Sequence, residues 1–267
     1  MTGHFDRHRG RRCDDSPAEL YHVNSKLTRS DQGLSAWIGA VNETPLFQHT
    51  ITRPRSRPDP ADLVALPPPV APPAELLHEL LARRRSTPAF ADEPISMGEL
   101  SYLLEVADGV THVRVGADGA RWSLRSAPSG GGLYPVDIYC AASRVDGLDP
   151  GLYRYEPLSS GLAPIAEGDA LPLLRGATYL EATADAAVAF LLVGVLGRSS
   201  FKYGERGYRF VLLEAGHIAQ NLLLAVEASA LAALPVGGFV DDDLNGLLRL
   251  DGVQEAVLYL VLVAARA

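Results

Sequence analysis

The chain has 267 residues, 47% of them hydrophobic, and its 24 Lys+Arg against 32 Asp+Glu give a formal net charge of −8. This composition suits one large or two small globular domains and excludes a disordered chain. The acidic balance argues against a nucleic-acid binder, which needs a concentrated basic surface. Cys13 and Cys140 stand far apart, one in a polar leader and one in an apolar run, so neither a disulfide framework nor a zinc site is suggested.

In chain order, residues 1–15 are rich in Arg, His and Asp and lack the apolar core of a secretory signal. Residues 1–17 are read as a flexible tail. Residues 18–71 form an N-terminal extension, in which Tyr21, Leu27, Leu34, Trp37, Ile38, Leu46 and Phe47 supply anchors for partial order. Its Pro- and Arg-rich connector, residues 53–73, contains Pro67-Pro68-Pro69 and favours extended backbone. The packed domain is expected over residues 72–267, with Pro72-Pro73 in a first helical turn. Leu76, Leu77, Leu80 and Leu81 then recur at helical spacing as far as Arg83-Arg84-Arg85-Ser86.

Ser96-Met97-Gly98-Glu99 predicts a capping box, opening a helix through Leu100, Leu103, Leu104 and Ala107 that Gly109 closes. Residues 136–145 alternate as a strand does. Residues 184–197 make the longest apolar run, short of the ~20 residues a spanning helix needs, so a soluble cytoplasmic protein is expected. Within it, residues 186–195 predict a central strand covered on both faces. Residues 206–231 predict the longest helix, apolar on nearly every side and therefore suited to the inside of an assembly. Residues 255–263 predict a last strand. Helices and strands mix without regular alternation, so the fold class is α+β.

Four segments carry chemistry. Arg83-Arg84-Arg85-Ser86-Thr87 offers guanidinium forks and a hydroxyl that match phosphate oxygens, although three arginines alone make an ordinary solvated helix end. Ser126-Ala127-Pro128-Ser129-Gly130-Gly131-Gly132 lets backbone N–H groups approach a planar or anionic ligand, as an ordinary flexible turn also would. Lys202-Tyr203 precedes a helix bearing Glu214, His217, Gln220 and Asn221, polar groups that need partners where buried; His217 alone reads as a satisfied core histidine. Gly237-Gly238-Phe239 suits close backbone approach to a ring.

In this order the segments resemble the nitroreductase superfamily, and more narrowly its SagB-type dehydrogenase branch, which includes azoline oxidases. The resemblance runs from Leu76 to the C-terminus and is most specific from Lys202-Tyr203 through Asn221. Tyr21-His22 with Ser25-Lys26 is similar to that branch's N-terminal extension. The resemblance implies a central, mainly antiparallel sheet flanked by helices, a long dimer-interface helix, and a homodimer holding FMN at the subunit boundary. It implies that Arg84, Arg85 and Ser86 hold the FMN phosphate. Pro128, Ser129 and Gly130 would meet the flavin ring, often from the other subunit, with Gly237 and Gly238 near flavin N5. Lys202 and Tyr203 would be catalytic. Relatives often have a basic residue where this chain has Pro88, and further basic residues after the last strand, for which Arg266 is the late candidate. Phosphate binding should then lean on Arg83, Arg84 and Arg85, with modest FMN affinity.

The implied reaction is dehydrogenation of peptide-borne azolines to thiazoles or oxazoles, with a modified peptide as substrate and a cyclodehydratase complex as candidate partner. Lys202 must be neutral to act as a base, and Arg206 and Arg209 are candidates to depress its pKa. The alternatives are an NAD(P)H-dependent nitro or quinone reductase on the same fold, or a flavin-free scaffolding subunit. No metal is called for.

Overall fold

The computed structural model describes residues 17–26, 32–44, 59–115 and 121–267. Its helices are α1 (Pro17–Asn24), α2 (Gln32–Glu43), α3 (Leu77–Arg83), α4 (Met97–Asp108), α5 (Leu171–Thr178), α6 (Leu196–Tyr203), α7 (Arg206–Ala228) and α8 (Asp241–Leu247). Its strands are β1 (Val64–Ala65), β2 (Ile95–Ser96), β3 (Val110–Val115), β4 (Arg121–Arg125), β5 (Val136–Ala142), β6 (Val145–Asp146), β7 (Gly151–Glu156), β8 (Gly161–Glu167), β9 (Val188–Val195), β10 (Ala232–Val236) and β11 (Glu255–Ala264). Leu27, Leu46, Phe47, Cys13 and residues 53–58 lie outside the described residues.

Seven strands form one sheet in the order β1-β8-β7-β5-β9-β11-β10. Every pairing in it is antiparallel, so the α+β, mainly antiparallel expectation holds. β9 lies inside the sheet and divides its side chains between two cores. Val188, Phe190 and Leu192 face the core built with α4 and α7, while Ala189, Leu191 and Val193 face the core built with α5 and α8. Burial on both faces is why β9 reads as a continuous apolar run rather than an alternating one.

The capping box forms as predicted, Glu99 N–H donating to Ser96 Oγ at 3.1 Å and Ser96 N–H to the Glu99 carboxylate at 2.7 Å. Gly109 ends α4 for a different reason than a left-handed cap. Its φ is −68°, and a Cβ there would stand 2.5 Å from Glu105 O, so closeness to the preceding turn excludes a side chain. α3 begins at Leu77, after Pro72-Pro73, and leaves Leu76, Leu77 and Leu81 exposed. The connector is not wholly extended chain: β1 within it pairs with β8 at the sheet's edge.

α7 is long and apolar enough to cross a membrane by length and composition, which the strand-length run at residues 184–197 is not. It is a core helix here. Val211, Ala215, Ile218, Ala219, Leu222 and Val226 pack on the sheet, while Leu212, Leu213, Gly216, His217 and Gln220 face outward. It is therefore half-covered, and His217 is exposed instead of satisfied in the core.

Candidate active site

Lys202 and Tyr203 do not simply precede the long helix; they end α6, and Gly204 at φ 55° turns the chain into α7. Lys202 is 7% exposed, and this burial lowers its pKa from the usual lysine value by penalising the ammonium form. Its Nζ lies 5.3 Å from the centre of the Tyr203 ring, and that ring packs edge-on against Phe210 at 4.9 Å. Burial raises the Tyr203 pKa, keeping the phenol a donor.

The glycine loop closes on this pair. Gly131 sits at φ 70°, and a Cβ there would overlap the Tyr203 hydroxyl and approach Lys202 Nζ to 3.2 Å. Gly130 packs less tightly, on Phe210, where a Cβ would meet the ring at 3.1 Å. Gly131, Gly132 and Leu133 join Lys202, Trp122, Arg114 and Val41 among the walls of a cleft of about 400 Å³. Of the expected site residues, Lys202 lines this cleft; Tyr203 packs on Gly131 and Gly130 on Phe210 behind the wall, and Pro128 is exposed on the same loop.

The loop is anchored by groups that sequence spacing did not reveal. Ser129 Oγ accepts from Tyr134 N–H at 2.9 Å, and the buried Glu214 carboxyl accepts from Val136 N–H at 3.2 Å. Burial first, with Asp108 nearby, pushes the Glu214 pKa up to about 8, so this carboxyl is largely neutral near pH 7. Beneath them Asp108 pairs with Arg125 at 2.5 Å, and Asp137 holds Arg198 through both guanidinium nitrogens at 2.6 and 2.9 Å. Glu214 and Val136 lie 78 positions apart and Asp137 and Arg198 lie 61 apart, and only the fold joins them.

Arg206 and Arg209 serve the N-terminal extension rather than Lys202. Arg209 Nε donates to Ser25 Oγ at 2.8 Å and its terminal nitrogen to His22 O at 2.6 Å, while Arg206 reaches Ser25 O at 3.3 Å. Tyr21 packs edge-on against Tyr208 at 5.2 Å. α2 then lies on α6, where Trp37 Nε1 donates to Phe201 O at 3.0 Å and Val41 and Asn42 line the cleft. The extension is a wall of the site.

At the other end of α7, Glu227 receives Arg83 at 2.9 Å and Arg266 at 2.8 Å, and Arg83 also pairs with Glu75. Arg83 and the late candidate Arg266 are thereby committed to carboxylates. Arg84 bonds Ser86 Oγ at 3.3 Å and Arg85 bonds backbone carbonyls, neither forming an ion pair with a described residue. Two guanidinium groups and a hydroxyl with no competing acid are a donor set that fits a phosphate. Thr87 N–H donates to Ala233 O at 2.9 Å, fixing this segment against the outer edge of β10. Gly237 and Gly238 are exposed just beyond β10's far end, and a strand rise of ~3.3 Å puts Gly237 about 13 Å from Ala233.

The Nitroreductase family model matches residues 81–264, most of the chain and every strand of the central sheet except β1. The chain belongs to the nitroreductase family. A protein of Methanocaldococcus jannaschii described as a nitroreductase is 30% identical over 65% of this chain and 84% of its own length. The microcin B17-processing protein McbC of Escherichia coli is 32% identical over 48% of this chain and 49% of its own length, so the aligned region spans about half of McbC. A solved nitroreductase-like structure from Anabaena variabilis superposes with TM-score 0.65 at 25% identity, over 92% of this chain and 45% of that one. A chain of the E. coli microcin synthetase McbBCD complex, solved with truncated pro-MccB17 bound, superposes with TM-score 0.59 over 93% of this chain and 97% of its own, and at 22% identity shows the fold alone.

Within one copy of this nitroreductase-family chain, the two ends of the site stand apart. Phe210, under the glycine loop, and Glu227, beside Arg83, are about 25 Å apart along α7 at ~1.5 Å per residue.

Proposed function

We propose that the chain is an FMN-dependent oxidase that dehydrogenates azoline rings on a modified peptide to thiazoles or oxazoles, and that it works as a homodimer. The observation that carries this reading is the buried Lys202 at the wall of the cleft, with the half-buried Tyr203 beside it packed against Gly131. A nitro or quinone reductase needs an accessible flavin face and has no use for a desolvated lysine. The similarity to McbC, named for processing microcin B17, supports a peptide substrate, and a cyclodehydratase complex is the partner this reading calls for.

Arg84, Arg85 and Ser86 would hold the FMN phosphate, and Gly237 and Gly238 would leave room beside the ring. Pro128, Ser129 and Gly130 of a second copy would meet the same flavin, because a single copy places its own loop too far along α7. The exposed Leu212, Leu213 and Gly216 offer the face on which two α7 helices would pack. When bound, FMN would supply the two-electron oxidant, taking a hydride from azoline Cβ. The neutral Lys202 amine takes the proton from Cα, and burial raises the neutral fraction at any given pH. Tyr203, kept protonated by the same desolvation, donates a hydrogen bond beside it.

The likeness to the Methanocaldococcus protein favours a second reading, an NAD(P)H-dependent reductase. Anaerobic mixing of the FMN-loaded protein separates the two. Bleaching of the yellow flavin by an azoline peptide and not by NADPH is expected; bleaching by NADPH alone selects the reductase.

A further inference from the structure

The cleft beside Lys202 has a charge of its own. Its charged lining groups are Arg114 and Lys202, and no Asp or Glu is among the described residues that line it. This is unexpected on a chain with 32 acids against 24 bases. Arg114 comes from β3 and stands opposite Trp122 of β4 in the hairpin register. Residues paired across a strand share one face, so the guanidinium and the indole flank the cleft together. Arg114 forms no ion pair with a described residue, whereas Arg83, Arg125, Arg144, Arg154, Arg175, Arg198 and Arg266 all do.

A guanidinium has five donors and no acceptor, and its fork matches a carboxylate. The second cation, Lys202, is buried and works as a base only while neutral. An anionic substrate placed against Lys202 would raise its pKa and disable it. An anion held by Arg114, which stands on the exposed hairpin strand, would be neutralised by that guanidinium instead of by the base. We infer that the cleft selects substrates bearing a carboxylate next to the ring, and that Arg114 is the residue that binds it. The inference rests on the azoline-oxidase reading for the ring and on the cleft's own residues for the carboxylate. The carboxylate has two sources, an acidic side chain following the ring or the free end of a peptide.

The test uses the full, FMN-loaded chain and an unreactive pair of probes, 2-phenylthiazole-4-carboxylate and its 4-carboxamide, in equilibrium dialysis. Wild type should bind the carboxylate about tenfold more tightly, the scale of a charge-assisted hydrogen bond. Arg114→Gln should bring the two affinities together, and Arg114→Lys should keep part of the preference. No preference in wild type, or a preference that survives Arg114→Gln, overturns the inference. KM values for azoline peptides with Asp or Asn after the ring, and with a free or amidated end, then identify the source. Absence of azoline turnover with the Arg114-dependent preference intact would sink the oxidase reading and leave anion recognition standing. Turnover without the preference would do the reverse.

Discussion

At Gly131 the backbone turns through φ 70° with the Tyr203 hydroxyl where a side chain would stand. Any L residue there is strained by its backbone and pushed into the lysine-tyrosine pair. Gly131→Ala should retain FMN yet lose roughly tenfold or more in turnover, since small misplacements of reacting groups are costly; unchanged turnover would show that the loop does not position the pair. Glu214, 1% exposed, offers a test by stability. Its pKa is raised from 4.5 to about 8 in the folded chain, so the folded state holds a proton that the unfolded state releases. That contribution is complete below about pH 4.5 and is lost as pH rises toward about 8. The melting temperature of Glu214→Gln should therefore lose less than wild type across this window, and parallel curves would show Glu214 ionised throughout.

At the scale of elements, α2 is the piece whose role the sequence least disclosed. Trp37 attaches it to Phe201, one residue before Lys202, by a hydrogen bond at 3.0 Å and an edge-on ring contact at 5.7 Å. Trp37 is itself 41% exposed, so Trp37→Ala should cost only about 1 kcal/mol of stability. Loosening α2 moves Val41 and Asn42 at the cleft, and KM should rise by a larger factor than kcat falls; an unchanged KM would mean that the wall is ornamental to substrate binding. Local signals were legible where the chain itself supplied both partners. Ser96 and Glu99 lie three residues apart and form their capping box, and the apolar run of β9 announces a strand buried on two faces. The Arg209–Ser25 contact joins residues 184 positions apart, and no spacing rule identifies it. For the same reason Arg206 and Arg209 looked from sequence like neighbours for Lys202, while in three dimensions they hold α1.

For the whole molecule, the proposed function requires that the phosphate-fitting donor set and the glycine loop meet one flavin. They occupy opposite ends of α7, and the outward face between them carries Leu212 at 43% and Leu213 at 59% exposure. A two-fold pairing through this face would bring one copy's Arg84, Arg85 and Ser86 toward the other's Pro128, Ser129 and Gly130. Leu213→Arg should then give a folded monomer by sedimentation that has also lost FMN, whereas a monomer that keeps its flavin would place the whole site in one copy. The family-level fold was readable because its motifs keep their order. A site shared between two copies was implied by the resemblance, but the separation of the two segments within one copy needed the fold, since it depends on the length and packing of α7.

Oxidation of an azoline ring is the central claim, and mass spectrometry measures it directly. FMN-loaded wild type incubated in air with an azoline peptide should yield a product lighter by two hydrogens per ring. Lys202→Ala should bind FMN normally and leave the peptide mass unchanged. An unchanged mass with wild type, or full conversion by Lys202→Ala together with Tyr203→Phe, would contradict the account.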